Sequence, residues 1–496
     1  MKKELTLLAM LGAASALSAQ TVIQSSNITA DTTWGDDESV VVLDGAIFVN
    51  NEATLTILPG TIVRGQPRRD GLNPGSLIIT QAGRIEALGN ASSPIIFTTA
   101  AIDNDSNGIP DDDGVALVGY STGTDLFYDA DPVNSPLGLR AAGTILGNKV
   151  TSKGNLDDDN TELWGGLVIL GEAPTNLGTD APNTAAGLGY VEGLTNGANT
   201  QYGGSIANDD SGILSYISVR HAGDEIGTGN ELNGITLGGV GFGTTMEYCE
   251  VYCNYDDGFE WFGGTVNANH LVSAYVGDDS FDGDQGWIGQ VQFAFAVQAF
   301  NGVGVTGGDE GFEFDGDDSP DVNEDVDFNI VPLPSYAFAN FTIVGPTGAT
   351  GYDSNVDANG RITLRNGFIG DLYNGYVVNC KGGFLSYTAT AALIDSVTVD
   401  DSTDVAVPTG TGLTTANIVL PAAAAGLIGE DQGVVGGLNP RHVTGGFPPP
   451  AGIASTISLP APFETTTYRG AFPSSGSLEL WTTGWTALNV SGVLVD

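Results

Sequence analysis

Short runs of β-branched and aliphatic residues recur along the chain, each closed by Gly, Asn or Asp. The first are Ser39–Leu43, Ala46–Val49, Leu55–Leu58, Thr61–Arg64, Ser76–Thr80, Arg84–Ala87 and Pro94–Thr98. Such side chains suit a pleated, half-buried surface, and the turn residues between the runs interrupt it. Trp164–Gly171 resumes the pattern, which continues from Ile213 to about Phe300 and again over Ala339–Val344, Arg361–Ile369 and Gly375–Val378. Beyond the first residues no stretch carries the period of an amphipathic helix. Many short strands without helices predict a sandwich, a barrel or a β-solenoid.

A repeat favours the solenoid. Asp257-Gly258-Phe259-Glu260 returns as Asp279-Ser280-Phe281-Asp282 and again as Glu310-Gly311-Phe312-Glu313, each preceded by Asp256, Asp278 or Asp309. The offsets are 22 residues (279 − 257) and 31 residues (310 − 279). Cys249–Asp257 aligns with Leu271–Asp279 at the shorter offset, so strand and turn repeat together. A period of this size predicts stacked coils, with equivalent residues about 4.8 Å apart. The three Phe then form an apolar ladder. The acids form a column of like charge, unfavourable unless solvent or cations neutralise it.

The expected chain is therefore all-β. Residues 1–19 read as an export signal, 20–100 as the first coils and 101–160 as an acidic, turn-rich inserted loop. Residues 161–400 read as the main solenoid. Over 401–496 Pro, Gly and Ala rise and the repeat fades, as in an irregular cap or a separate adhesive module.

Several blocks resemble one family of exported proteins from Gram-negative bacteria. They are Leu163–Gly171, His221–Gly227, Glu231–Gly239, Asp256–Asn267, and at the front Thr54–Gly60 with Pro94–Thr99. The resemblance covers most of the mature chain. It implies a right-handed parallel β-helix of the pectate-lyase-like type and export, but no chemistry.

Charge narrows the partners. Asp and Glu number 60 against 15 Lys and Arg, a formal net charge of −45. Nucleic acid and anionic membranes are recognised through Lys and Arg, so both are excluded as partners, while cations are attracted. A hydrophobic fraction of 41% excludes wholesale disorder. Met1-Lys2-Lys3, the apolar stretch Leu5–Leu17 and the small Ser18-Ala19 form an export signal, too short for an anchor. The longest later apolar run, Leu420–Ile428, is too short to span a bilayer. Three cysteines, Cys249, Cys253 and Cys380, cannot all pair. On one extended strand Cys249 and Cys253 lie roughly 13 Å apart, too far for a bridge. They read as buried small apolar residues.

The strongest local motif is Asp103-x-Asp105-x-Asn107-Gly108-Ile109, continuing to Asp111. It matches the start of a calcium loop, in which alternate oxygens and the Ile109 carbonyl take a hard cation. The twelfth position is Gly114, so Asp112 or Asp113 would replace the missing Glu, as in the thrombospondin-type repeats the loop resembles. A solvated acidic turn is the alternative. Asp321, Asn323, Asp325 and Asp327 would share one face if extended and form a weaker calcium candidate. In the repeat, Asp257 and Asp279 could share calcium, act as an acid/base pair on sugar, or simply bond turn amides. Arg220 is the cation that could assist such catalysis, although a structural ion pair is the plainer reading. Trp261 and Trp287 are candidate glycan platforms, each also readable as core packing. No H-E-x-x-H zinc site exists among His221, His270 and His442. The expectation is an exported, calcium-stabilised β-helix that binds polysaccharide or a cell-surface component without catalysis. A calcium-dependent polysaccharide lyase or glycoside hydrolase is the alternative.

Overall fold

The computed structural model describes residues 21–35, 40–67, 73–100, 161–178, 187–224 (except 192), 232–298, 308–316, 336–345, 361–378 (except 367), 385–387, 391–400 (except 396), 414–416, 438, 440, 459, 462–473, 479–490 and 494. Almost all regular structure is strand, and the strands pair in parallel from one coil to the next. The architecture is a parallel β-helix. One face is a nine-stranded parallel sheet running from Ala46–Val49 to Leu385–Tyr387. The other two faces belong to a second, larger sheet.

Strand Gly212–Arg220 shows how those two faces are joined. Its first half pairs with Gly83–Leu88 and its second half with Ile95–Thr99. Between them Tyr216 takes φ 50°, which bends the strand. The same corner is turned by Tyr248, His270 and Phe293 at φ 53°, 56° and 63°, then by Asn340 and Asn374. Asn tolerates the left-handed region, whereas a bulky aromatic there is an outlier. The rings compensate by stacking at 4.3 Å, 4.3 Å and 4.6 Å centroid to centroid along four coils.

Strand parity builds the interior. On the nine-stranded sheet, Ile47, Leu77, Leu167, Ile235, Phe259, Phe281, Phe312, Ile362 and Leu385 stand in register and point inward. The predicted Phe ladder is real: ring centroids of Phe259 and Phe281 are 5.4 Å apart, and those of Phe281 and Phe312 are 5.5 Å apart. Cys249 pairs with Leu271, the register that the 22-residue offset predicts. Cys249 and Cys253 are both buried.

Described parts of the C-terminal region lie along the flank of the coil. Phe472, Leu480 and Leu488 pack with Val272, Phe295 and Val344 of the second sheet. Trp481 and Trp485 meet the edges of the stacked corner rings. Beneath this cover, Glu250 accepts hydrogen bonds from the Ala487 and Leu488 amides at 2.7 Å and 3.1 Å. Among the described residues no helix is long and apolar enough to cross a membrane.

Candidate functional site: an acidic cleft on the nine-stranded sheet

The outward column of the same sheet alternates with the inward one. It reads Phe48, Ile78, Val168, Thr236, Glu260, Asp282, Glu313, Thr363 and Ser386, one residue per coil. The apolar end is covered by a hairpin of Gly189–Tyr190 with Gln201–Tyr202. The acidic end opens into a cleft of about 400 Å³. Gly238 carries no side chain because Tyr202 lies on it; a Cβ there would sit 2.7 Å from the ring. The hairpin is tied down further. Gln81 Nε2 donates to the Gly171 and Gly203 carbonyls at 2.8 Å each, and the Tyr202 hydroxyl donates to Gln285 at 2.9 Å.

A second row of acids flanks the column. Asp257 Oδ1 accepts the Asp279 amide at 2.8 Å, and Asp279 Oδ1 accepts the Glu310 amide at 2.6 Å. One oxygen of each Asp therefore joins neighbouring coils, as a turn-bonding role requires. The same residues also enter tight acid groups. Asp256, Asp257 and Asp278 form one, Asp257, Glu260 and Asp282 a second, and Asp279, Asp282 and Glu313 a third. Within each group the ligand oxygens lie within 4.8 Å of one another. The groups overlap through Asp257 and Asp282.

Burial raises the carboxyl groups of Asp257, Glu260, Asp279 and Asp282 well above the ordinary range, and neighbouring carboxylates push the same way. The far end of the rows is neutralised differently. Arg361 Nε donates to Glu310 at 2.9 Å, while Arg365 contacts Glu313 at 2.7 Å and Asp315 at 2.8 Å. Burial alone would raise Glu310, but its hydrogen bonds with Asp309 and Arg361 prevail and hold it low. Among the described residues Asp257 and Glu260 form no ion pair, whereas Arg365 also acts on Asp282. Two buried oxygens on the cleft lining, Asn233 Oδ1 and Thr236 Oγ1, have no hydrogen-bond partner. Asn233 still donates through Nδ2 to Glu260. Thr236 shares the face of Glu260 because the two are register partners on adjacent strands.

The sequence candidates fall into distinct places. Asp257 and Asp279 line the cleft. Arg220 does not join them. Its guanidinium is buried on the flank, donates from Nε to Ser218 at 2.7 Å and faces Glu250. Burial pushes it down to about 10, with Glu250 pulling the other way. Trp261 and Trp287 are 0% and 3% exposed and stack on each other at 4.6 Å inside the coil, so neither offers a face to a glycan. The reason for Trp261 is parity: it is two residues beyond Phe259 on one strand and shares its inward side. The loop residues Asp103, Asp105, Asn107, Ile109 and Asp111, and the weaker group Asp321, Asn323, Asp325 and Asp327, lie outside the described residues.

Sequence reasoning overlooked Asn233, Thr236 and the two arginines. The fourth position of the repeat, occupied by Glu260, Asp282 and Glu313, carried a usable signal. It adjoins an inward Phe and must therefore face out. A family model described as a pectate-lyase like beta helix domain matches residues 26–123 and 141–422. No curated protein matches the chain.

Proposed function

The chain belongs to the family of pectate-lyase-like β-helix domains, and from that premise we propose an exported protein whose acidic cleft holds calcium and binds glycan without cleaving it. One observation carries the reading: overlapping groups of carboxylates, buried at Asp257, Glu260 and Asp279, share Asp257 and Asp282, and among the described residues arginine ion pairs reach only the Glu313 end. Carboxylates this close repel strongly in a low-dielectric site unless protons or a cation neutralise them, and a cation does so at a pH where protons are scarce. Carboxylate, amide and hydroxyl oxygens in an irregular cluster suit calcium, which accepts about six to eight oxygens with loose geometry.

Among the described residues the cleft lining contains no Lys, Arg or His to neutralise a uronate, which favours binding over lyase chemistry. The export signal Met1–Ala19 agrees with a calcium-rich extracytoplasmic setting.

Calorimetric titration of the mature chain with calcium tests the reading. Wild type should bind, and Asp282→Asn, which alters two acid groups at once, should weaken binding about tenfold or more, the equivalent of about 1.4 kcal/mol. A polysaccharide panel scored with and without chelator should show calcium-dependent retention and no product. Released oligosaccharide would establish a lyase or hydrolase instead.

A further inference from the structure

We infer that the cleft selects an uncharged sugar, two adjacent hydroxyls of which complete the oxygen shell of the cation while its apolar face lies on the hairpin wall. This rests on the calcium reading above and names the ligand class for the same site.

Three independent features lead to this ligand. The first is a shortfall of donors. Asp257, Glu260 and Asp282 can each give one close oxygen to a shared ion. Calcium requires about six to eight, so protein carboxylates leave positions open for neutral oxygens. Thr236 and Asn233 are 3% and 4% exposed, and their Oγ1 and Oδ1 stand unpartnered on the same lining. A buried polar atom without a partner is costly, so these atoms mark where ligand hydroxyls or the ion are received.

The second feature is the wall. Tyr190, Leu177 and Phe262 are half-buried and line the cleft beside the acids. An apolar and aromatic surface next to convergent polar groups is what a pyranose ring requires, since it offers a C–H face and a hydroxyl edge. The hairpin that supplies Tyr190 is held by the Gln81 and Tyr202 hydrogen bonds already described, so little ordering remains to be done on binding.

The third feature is charge. Among the described residues eight carboxylate side chains and no basic one line the cleft, and Arg365 reaches it only through its ion pair with Glu313. A single divalent ion leaves that excess largely intact. A uronate brought there would be repelled, whereas a neutral ring would not.

The test uses the mature full chain at saturating calcium against an array of neutral, uronate and amino-sugar oligosaccharides, followed by titration of the strongest hit. Neutral oligosaccharides should bind, and chelation should abolish the signal. Tyr190→Ala should weaken binding about tenfold, the scale of one lost aromatic contact, while leaving calcium affinity unchanged. That unchanged affinity also confirms that the variant is folded. If wild type binds no calcium, the underlying reading fails. If calcium binds normally but neutral sugars do not, or only uronates or amino sugars bind, the calcium reading survives and this inference is overturned. Neutral-sugar binding that persists in chelator or is untouched by Tyr190→Ala would equally overturn it.

Discussion

At the scale of single residues, alternation along one short strand separates structure from chemistry. Phe259 and Trp261 fill the core, and Glu260 between them faces the cleft. Removing Phe281, fully buried between Phe259 and Phe312, should destabilise by about 3–5 kcal/mol as Phe281→Ala, read from denaturant midpoints. The raised carboxyls allow a second expectation. In the folded, ion-free protein Asp257, Glu260, Asp279 and Asp282 hold protons more tightly than in the unfolded chain. The folded state then binds more protons, so stability falls as pH rises through the ordinary carboxylate range. Asp309, pushed up to about 8 by burial and its bond with Glu310, extends the window. Glu310 is held low and opposes the trend. The Tm of the chelated protein should therefore drop between about pH 5 and pH 8, and calcium should restore it. A chelated Tm that is flat or rising over that range would count against the charge balance described. Much of this scale was legible in the sequence. The Phe ladder and the paired acids follow from one repeat, whereas the inward turn of Trp261 required strand parity to be applied. Thr236 and Asn233 left no such trace, because a lone Thr or Asn has no pattern until neighbouring coils place it.

At the scale of elements, the long central strands are bent rather than straight. The bend joins two faces and creates the aromatic corner that receives Trp481 and Trp485. The C-terminal segment is further fastened by Glu250, which accepts from Ser218 and from two backbone amides and attracts the buried Arg220 guanidinium. Replacing it as Glu250→Ala would remove a buried carboxylate that attracts a buried guanidinium and accepts three hydrogen bonds, a loss of about 3–5 kcal/mol. The variant should also become sensitive to proteolysis within residues 479–490, while Glu250→Gln should be milder because it keeps the shape and some acceptors. Neither the flank position of this segment nor the partner of Arg220 could be read from the chain. Glu250 and Leu488 are 238 residues apart, and no periodicity links them.

At the scale of the whole molecule, each coil contacts chiefly its two neighbours, so stability is close to a sum of local terms. The net charge of −45 acts against compaction everywhere, and on the proposed calcium reading cations would relieve it where carboxylates converge. Chelation should accordingly lower Tm, and raising ionic strength with a monovalent salt should recover only the part owed to long-range repulsion. Equal recovery by sodium and calcium would show that no specific site is involved.

The outward column contributes one side chain for every turn of the coil. On the proposed calcium reading its capacity would count the acidic turns, in the way that beads are counted on a thread. Inserting a second copy of residues 257–278, one 22-residue turn, should lengthen the carboxylate row by a single member and raise the number of ions bound per chain. Growth of this kind leaves every existing turn in place, so a carboxylate row built on a coil can lengthen in whole steps without redesign of what is already there.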